Sequence, residues 1–217
     1  MKDHVSFLGT KNDGSILGLF SDRYHIYVFY EDYEDKTYYW FMLDKTYMIE
    51  SVSEISFPSD IDKEQFSFIR WITPTQTNQH TYLYKGFCLV DKIECRFTID
   101  ELCHLTVTES PHKEKLLPGT YNCLTNIQVD TFAQSGNDIY LSGWDNQFNE
   151  QVYCKVDAAN DVCVKRYHLS SDDGDVTVKT IAIDTYEQRV YLGGSVIRYD
   201  DNDQFVSAIP FFEVFLK

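Results

Sequence analysis

Short apolar and aromatic runs bounded by polar turns recur along the chain, the pattern of strands buried on both faces. The clearest such run is Val190-Tyr191-Leu192-Gly193-Gly194, followed at a distance by Phe212-Glu213-Val214-Phe215-Leu216-Lys217. The same two-part phrase occurs earlier as Ile139-Tyr140-Leu141-Ser142-Gly143-Trp144 and then Val152-Tyr153-Cys154-Lys155-Val156-Asp157. Fainter copies lie at Thr81-Tyr82-Leu83-Tyr84-Lys85-Gly86 and Ile26-Tyr27-Val28-Phe29-Tyr30. No extended helical periodicity competes. The segment of most helical character, Asp60 to Gln65, is one charged turn and reads as a connecting loop.

Periodicity organises these runs into units. Tyr27, Tyr82, Tyr140 and Tyr191 recur as markers of a second strand. A first strand precedes each, as Leu17 and Leu19, Trp71-Ile72, Ile127-Gln128-Val129, and Ile181 and Ile183. A third strand ends at Asp44, Asp100 and Asp157, and a fourth follows at Tyr47–Val52, Leu102–Val107 and Val162–Tyr167. Turns between them carry Asp, Asn or Gly. Four antiparallel strands per unit, repeated along the chain, predict an all-β, β-propeller-like fold of four blades. The units span 10–57, 62–109, 121–170 and 175–217, with 4–9 completing the last. The last unit lacks a fourth strand, so Val5-Ser6-Phe7-Leu8 is expected to pair beside Phe212 to Leu216. That pairing would cover an apolar edge and close the ring. The rival arrangement is a larger ring to which these blades contribute.

The last two units resemble the β-propeller repeats of many bacterial and protist proteins. Those repeats have an Asp-x-x-x-x-Val-Tyr-x-x-Gly hairpin followed by a Phe-Val-x-Lys-Leu-Asp strand. Here Asp184 precedes Val190-Tyr191 by one residue more than the pattern, and Phe212 to Lys217 stands for the strand. Ser142 stands where the last unit has Gly193, and Phe29-Tyr30 replace both glycines in the first. The resemblance implies an interaction scaffold. It carries no catalytic residue, because the family has no common activity.

Composition sharpens this picture. The chain has 217 residues, 16 Tyr and 15 Phe, a strand-favouring composition. Its formal charge of −15 disfavours nucleic acid and anionic membranes, and permits a protein partner with a basic surface or a bound cation. No apolar run approaches the roughly 20 residues that span a bilayer, so no membrane insertion is expected. No leader is evident at Met1 to Phe7 and no Asn-x-Ser/Thr triplet occurs, which leans towards the cytoplasm. None of the six cysteines forms a Cys-x-x-Cys pair. If Asp91-Lys92 is a two-residue turn, Cys88 faces Cys95. A cross-strand disulfide is then open, with free buried thiols the favoured state.

Catalytic signatures are absent. There is no phosphate loop, nucleophile elbow or His-Glu-x-x-His. His25 and His80 share a place at the start of a second strand, where exposed loop residues are the ordinary account. No cofactor is expected. Asp172, Asp173 and Asp175, and Asp200, Asp201 and Asp203, are candidate Ca²⁺ ligands by composition, but neither group has calcium-loop spacing. Aromatics crowd the first unit, and core packing is their first explanation. Tyr30, Tyr33, Trp40, Trp71 and Trp144 are the candidates for an interaction surface. The expected function is a non-catalytic protein-interaction or structural module. One alternative is a carbohydrate- or small-ligand-binding propeller with Trp40, Trp71 and Trp144 around a mouth. Another is a hydrolase with carboxylates on the innermost strands of a central channel.

Overall fold

A computed structural model describes residues 3–4, 13–63, 66–78, 81–90, 93–100, 102–109 and 119–217. Sixteen strands form four antiparallel sheets of four, and no α-helix occurs among the described residues. Sheet I contains β2 (Gly14–Ser21), β3 (His25–Asp32), β4 (Thr37–Asp44) and β5 (Ile49–Glu54) in chain order. Sheet II repeats the meander with β6 (Phe66–Asn78), β7 (Thr81–Val90), β8 (Ile93–Ile99) and β9 (Leu105–Glu109). Sheet III has β10 (Ile127–Ser135), β11 (Asp138–Asp145), β12 (Glu150–Asp157) and β13 (Val162–Leu169). Sheet IV has β14 (Asp175–Asp184), β15 (Arg189–Tyr199) and β16 (Phe205–Leu216), with β1 (Asp3–His4) on its outer edge.

β1 completes sheet IV by pairing Asp3 with Val214 and His4 with Glu213. The N-terminal segment therefore does lie beside the C-terminal strand. The residues expected to make that pairing, Val5 to Leu8, fall outside the described residues.

Turn chemistry explains much of the acidity. Among the described residues seven non-glycines have positive φ: Lys36, Tyr47, Cys103, Asn149, Asp161, Gln188 and Asp203. Each follows, by three or four positions, an aspartate whose Oδ1 accepts backbone N–H groups inside the turn. Asp44 accepts from Thr46 and Met48, Asp100 from Leu102 and His104, and Asp200 from Asn202 and Gln204. Asp32, Asp145, Asp157 and Asp184 accept from Glu34, Gln147, Ala159 and Tyr186 in the same way. A short carboxylate that bridges the turn offsets the cost of the left-handed residue that reverses the chain.

Each innermost strand carries a β-bulge at the same place. The unpaired residues are Leu17 in β2, Ile69 in β6, Asp130 in β10 and Lys179 in β14. A shared bulge twists the inner strands alike, and it also aligns the units. By this alignment Tyr27, Tyr140 and Tyr191 are equivalent, lying opposite Met42, Lys155 and Val214. Tyr82 is not their counterpart. Lys85, opposite Thr98 two residues before Asp100, holds that position in sheet II. The shorter β7–β8 hairpin, with Val90 opposite Ile93, compensated for the displaced tyrosine and made the spacing in sequence look constant.

The three equivalent tyrosines are buried, and each hydroxyl donates to an aspartate at the hairpin between first and second strands. The pairs are Tyr27 to Asp22 (3.0 Å), Tyr140 to Asp138 (3.2 Å) and Tyr191 to Asp184 (3.2 Å). Each ring fills the gap to a neighbouring sheet: Tyr27 between I and II, Tyr140 between III and IV, Tyr191 between IV and I. Burying an aromatic ring this fully stabilises the fold by roughly 1.5–3 kcal/mol.

The sheets therefore pack in the order II, I, IV, III. Inner strand β2 lies against β6 on one side and β14 on the other, and β14 also lies against β10. Leu19 N–H donates to Thr180 Oγ1 (3.1 Å) across the I–IV boundary. Between I and II, Ser56 bridges His104, with Leu105 N–H donating to Ser56 O (2.9 Å). Among the described residues no comparably close packing joins β6 to β10. The far apolar face of sheet III is instead covered by Tyr121 and by the 3-10 turn Asn122–Leu124, with Leu124 buried.

The glycines and aromatics sort by interface. A Cβ on Gly193 would press on Ile16 Cγ2 (2.5 Å) and Leu19 Cδ1 (2.9 Å) of sheet I, so the close I–IV approach requires glycine there. At the equivalent place in sheet I stands Phe29, which fills the I–II gap together with Tyr38, Trp40 and Tyr84. Loss of glycine in the N-terminal half thus reflects an interface filled by rings. Sheet II also shows Cys88 directly opposite Cys95, as the hairpin register requires. The two sulfurs are bonded, with Cα atoms 5.0 Å apart, so the favoured free-thiol state is corrected to a cross-strand disulfide.

Candidate interaction surface

At the sheet I–IV boundary, turns of both sheets meet over a buried polar network. Asp184 ends β14 with its side chain fully buried. Its Oδ1 accepts the N–H groups of Tyr186 (2.8 Å) and Glu187 (3.0 Å), and its Oδ2 accepts the hydroxyls of Ser21 (3.0 Å) and Tyr191 (3.2 Å). Lys45, from the β4–β5 turn, forms an ion pair with the same Oδ2. Its Nζ also donates to Ser21 Oγ (2.6 Å) and Asp22 O (2.7 Å). Burial pushes the Asp184 carboxyl up, but Lys45, the Glu187 amide and Ser21 outweigh it and hold the group below its ordinary value.

A second layer of contacts ties the same turns. Arg189 Nη1 donates to Tyr47 OH (2.7 Å) and pairs with Glu187 (3.0 Å). Tyr47 packs edge-on against Phe212 of sheet IV. In sheet I, Asp22 Oδ1 accepts from Tyr24 and His25 N–H (both 2.7 Å), while His25 Nε2 meets Glu50 at 3.1 Å.

These contacts fix the backbone and leave apolar tips in solvent. Tyr24 is 56% exposed, Tyr186 66%, Met48 66% and Ile49 42%. Tyr24 and Tyr186 stand two residues after the turn aspartates Asp22 and Asp184 respectively. That phase relative to a turn aspartate is the signal in the sequence that marks them. Exposed tyrosines, with only two side-chain torsions each, bind at low entropic cost, and a flexible Met adapts its shape to a partner.

Chemically, the network is built for holding. Ser21 beside Lys45 has the residue types of a nucleophile and base. Yet Lys45 donates to Ser21 and so is not placed to take its proton, and Asp184, which accepts from the Ser21 hydroxyl, is held below its ordinary value and is a weak base. The innermost strands carry Asp130, Asp175 and Asp184 among their described carboxylates. Asp175 and Asp184 sit at opposite ends of β14, roughly 30 Å apart at about 3.3 Å per residue. Asp130 accepts from Gln151 Nε2 (3.0 Å), and burial raises its carboxyl. The convergence that a channel hydrolase needs is not formed by these groups.

The aromatic candidates are scattered. Tyr30 is fully buried between I and IV, its hydroxyl donating to Asp13 O (3.3 Å), and Trp40 is buried against Tyr84 with ring centroids 4.1 Å apart. Both are corrected from surface to core, because a sheet covered on two sides buries both faces of its strands. Tyr33 is half-buried in the β3–β4 turn and Trp144 half-buried on β11, so they lie in different sheets. Trp71 pairs with Gly86 in the backbone register, and its side chain falls outside the described residues, as does His80. Of the tryptophans whose side chains are described, Trp40 is buried in the core of sheets I and II and Trp144 lies on sheet III.

The calcium candidates also have other occupations. Asp200 heads the β15–β16 turn, and its carboxyl is held below the ordinary value by the Gln204 and Asn202 amides. Asp203 is the left-handed residue of that turn. Asp173 pairs with Arg198. Asp172, Asp175 and Asp201 are exposed. Among the described residues no group of three or more His, Cys, Asp or Glu side chains is arranged to hold a metal ion. No described helix is long and apolar enough to cross a membrane.

No protein-family model matches the chain, and no curated protein is significantly similar to it. Among solved structures it is similar to the apo form of prolyl oligopeptidase B from Galerina marginata, at 11% identity and a TM-score of 0.24, over 87% of this chain and 25% of that one. A second match is a mutant of that enzyme bound to a 35mer hydrolysis and macrocyclization substrate, at 12% identity and a TM-score of 0.25, over 87% and 26%. The chain thus spans about a quarter of the length of the structures it matches.

Proposed function

We propose that this chain is a non-catalytic interaction module of β-propeller-like, four-bladed form that docks a protein partner through the turn tips at the sheet I–IV boundary. The carrying observation is the pairing of a buried polar network with four exposed apolar side chains on or beside the turns that form it: Tyr24, Met48, Ile49 and Tyr186. The network uses its polar groups for rigidity, leaving hydrophobic contact as the surface's available chemistry. The net charge of −15 favours a partner whose basic groups surround an apolar pocket. Repeated tyrosine–aspartate pairs and common bulges support the blade reading, with a ring closed by bringing β6 towards β10.

The test is affinity capture from the native source followed by mass spectrometry, comparing the wild type with the double variant Tyr24→Ser/Tyr186→Ser. The variant should keep its melting temperature, because both rings are exposed, and should lose the captured partner. Identical capture by a folded variant would overturn the assignment of the surface. Small-angle scattering tests the ring separately: an elongated fan in solution would overturn closure while leaving the surface intact.

A further inference from the structure

Three thiols converge on the far face of sheet III. Cys154 of β12 is buried, and Cys123 and Cys163 are half-buried against the same apolar cluster. The Cys163 thiol donates to Cys123 O at 3.7 Å, across 40 residues of sequence. It also lies close enough to the Cys123 and Cys154 sulfurs to interact with both. The turn bearing Cys123 is anchored on each side. Leu124 is buried, and the Asn122 N–H donates to Asp161 Oδ1 at 2.9 Å. Cys123 is thus held beside the edge strand that carries Cys163.

Cys154 relates differently to Cys163. Its register partner is Arg166, whereas Cys163 lies opposite Val156. A register shift falls between those positions, so Cys154 and Cys163 are not the directly opposed pair that a cross-strand disulfide joins. Cys154 is also buried, whereas Cys123 and Cys163 are half-buried and within reach of a dissolved disulfide.

We propose that Cys123 and Cys163 form a disulfide when oxidised by a small-molecule disulfide of the glutathione class, fastening the Tyr121–Leu124 cover to β13. In the first step one protein thiolate attacks a glutathione sulfur, making a mixed disulfide and releasing one glutathione thiol. The second protein thiolate then attacks the protein sulfur of that mixed disulfide and releases the other. Two protein thiols lose two protons and two electrons, and oxidised glutathione is reduced to two thiols. Burial pushes the Cys163 thiol up, so the exchange accelerates as pH rises.

The full chain is incubated with oxidised glutathione, alkylated while folded, and mapped by mass spectrometry. Alkylation before oxidation should mark thiols drawn from the four free cysteines, Cys103, Cys123, Cys154 and Cys163. Afterwards the Cys123 and Cys163 peptides should appear linked, with Cys103 and Cys154 still as thiols. Cys154→Ser should retain the link and Cys123→Ser should lose it. A bridge through Cys154, a persistent glutathione adduct on Cys123 without a bridge, or unmodified Cys123 and Cys163 at equilibrium would each overturn the proposal. The wild-type map decides the matter even if a variant folds poorly.

Discussion

Replacing Lys45 by methionine removes the cation from the buried Asp184 carboxylate while keeping most of the side chain's apolar stem. Asp184 retains the Ser21 and Tyr191 hydroxyls and the Tyr186 and Glu187 amides, so the loss is one charge-assisted contact and its Coulombic share. Such a contact is worth about 1.5–3 kcal/mol, below the 3–5 kcal/mol typical when a buried pair is broken outright. At about 2–4 °C per kcal/mol for a domain of this size, melting should fall by roughly 3–12 °C. Urea unfolding at several pH values provides the sharper assay. The folded-state value of Asp184 is depressed from 3.8, so its stabilisation is complete above that value and disappears as pH falls through the lower folded one. The Lys45→Met penalty should therefore be full at neutral pH and shrink in acid. Adding Asp184→Asn should rescue part of the loss, since the orphaned charge is gone. A penalty that stays constant into acid, or a double variant whose loss equals the sum of the two singles, would refute the argument.

Trp40→Ala should cost about 3–5 kcal/mol in chemical denaturation, because the indole is buried at the I–II interface against Tyr84. Gly193→Val should destabilise by about 1–3 kcal/mol, as its branches displace Ile16 and Leu19 of sheet I. Asp44→Ala should lower the urea midpoint at neutral pH, and that difference should vanish in acid. The Thr46 side chain and the Met48 and Thr46 amides hold the Asp44 carboxyl below 3.8, so its contribution is present above that value and lost below the folded one. Glu31→Gln should raise the neutral-pH midpoint. Burial raises the Glu31 carboxyl despite the Tyr38 hydroxyl, so ionised Glu31 opposes folding above its unfolded value, and the gain should disappear once it is protonated.

What the sequence determined by itself was everything that depends on neighbours a few residues away. Apolar and aromatic runs between polar turns located the strands, and Asp44, Asp100 and Asp157 marked turns whose amides their carboxylates accept from. Hairpin arithmetic placed Cys88 opposite Cys95 because register within a hairpin is fixed by its turn. Tertiary structure decided what lies across the gaps between sheets. Whether a ring on a strand meets another sheet or solvent is invisible to alternation, so Tyr30 and Trp40 proved to be core while Tyr24 and Tyr186, in turns, stand exposed. Equivalence of Lys85 with the three tyrosines needed the bulges, whose backbone irregularity leaves no mark in the spacing. The meeting of Lys45 with Asp184, 139 residues apart, and of Cys123 with Cys163 depended on which sheets became neighbours. Local hydrogen bonds and steric period are written residue by residue, whereas sheet order follows from how whole faces fit together.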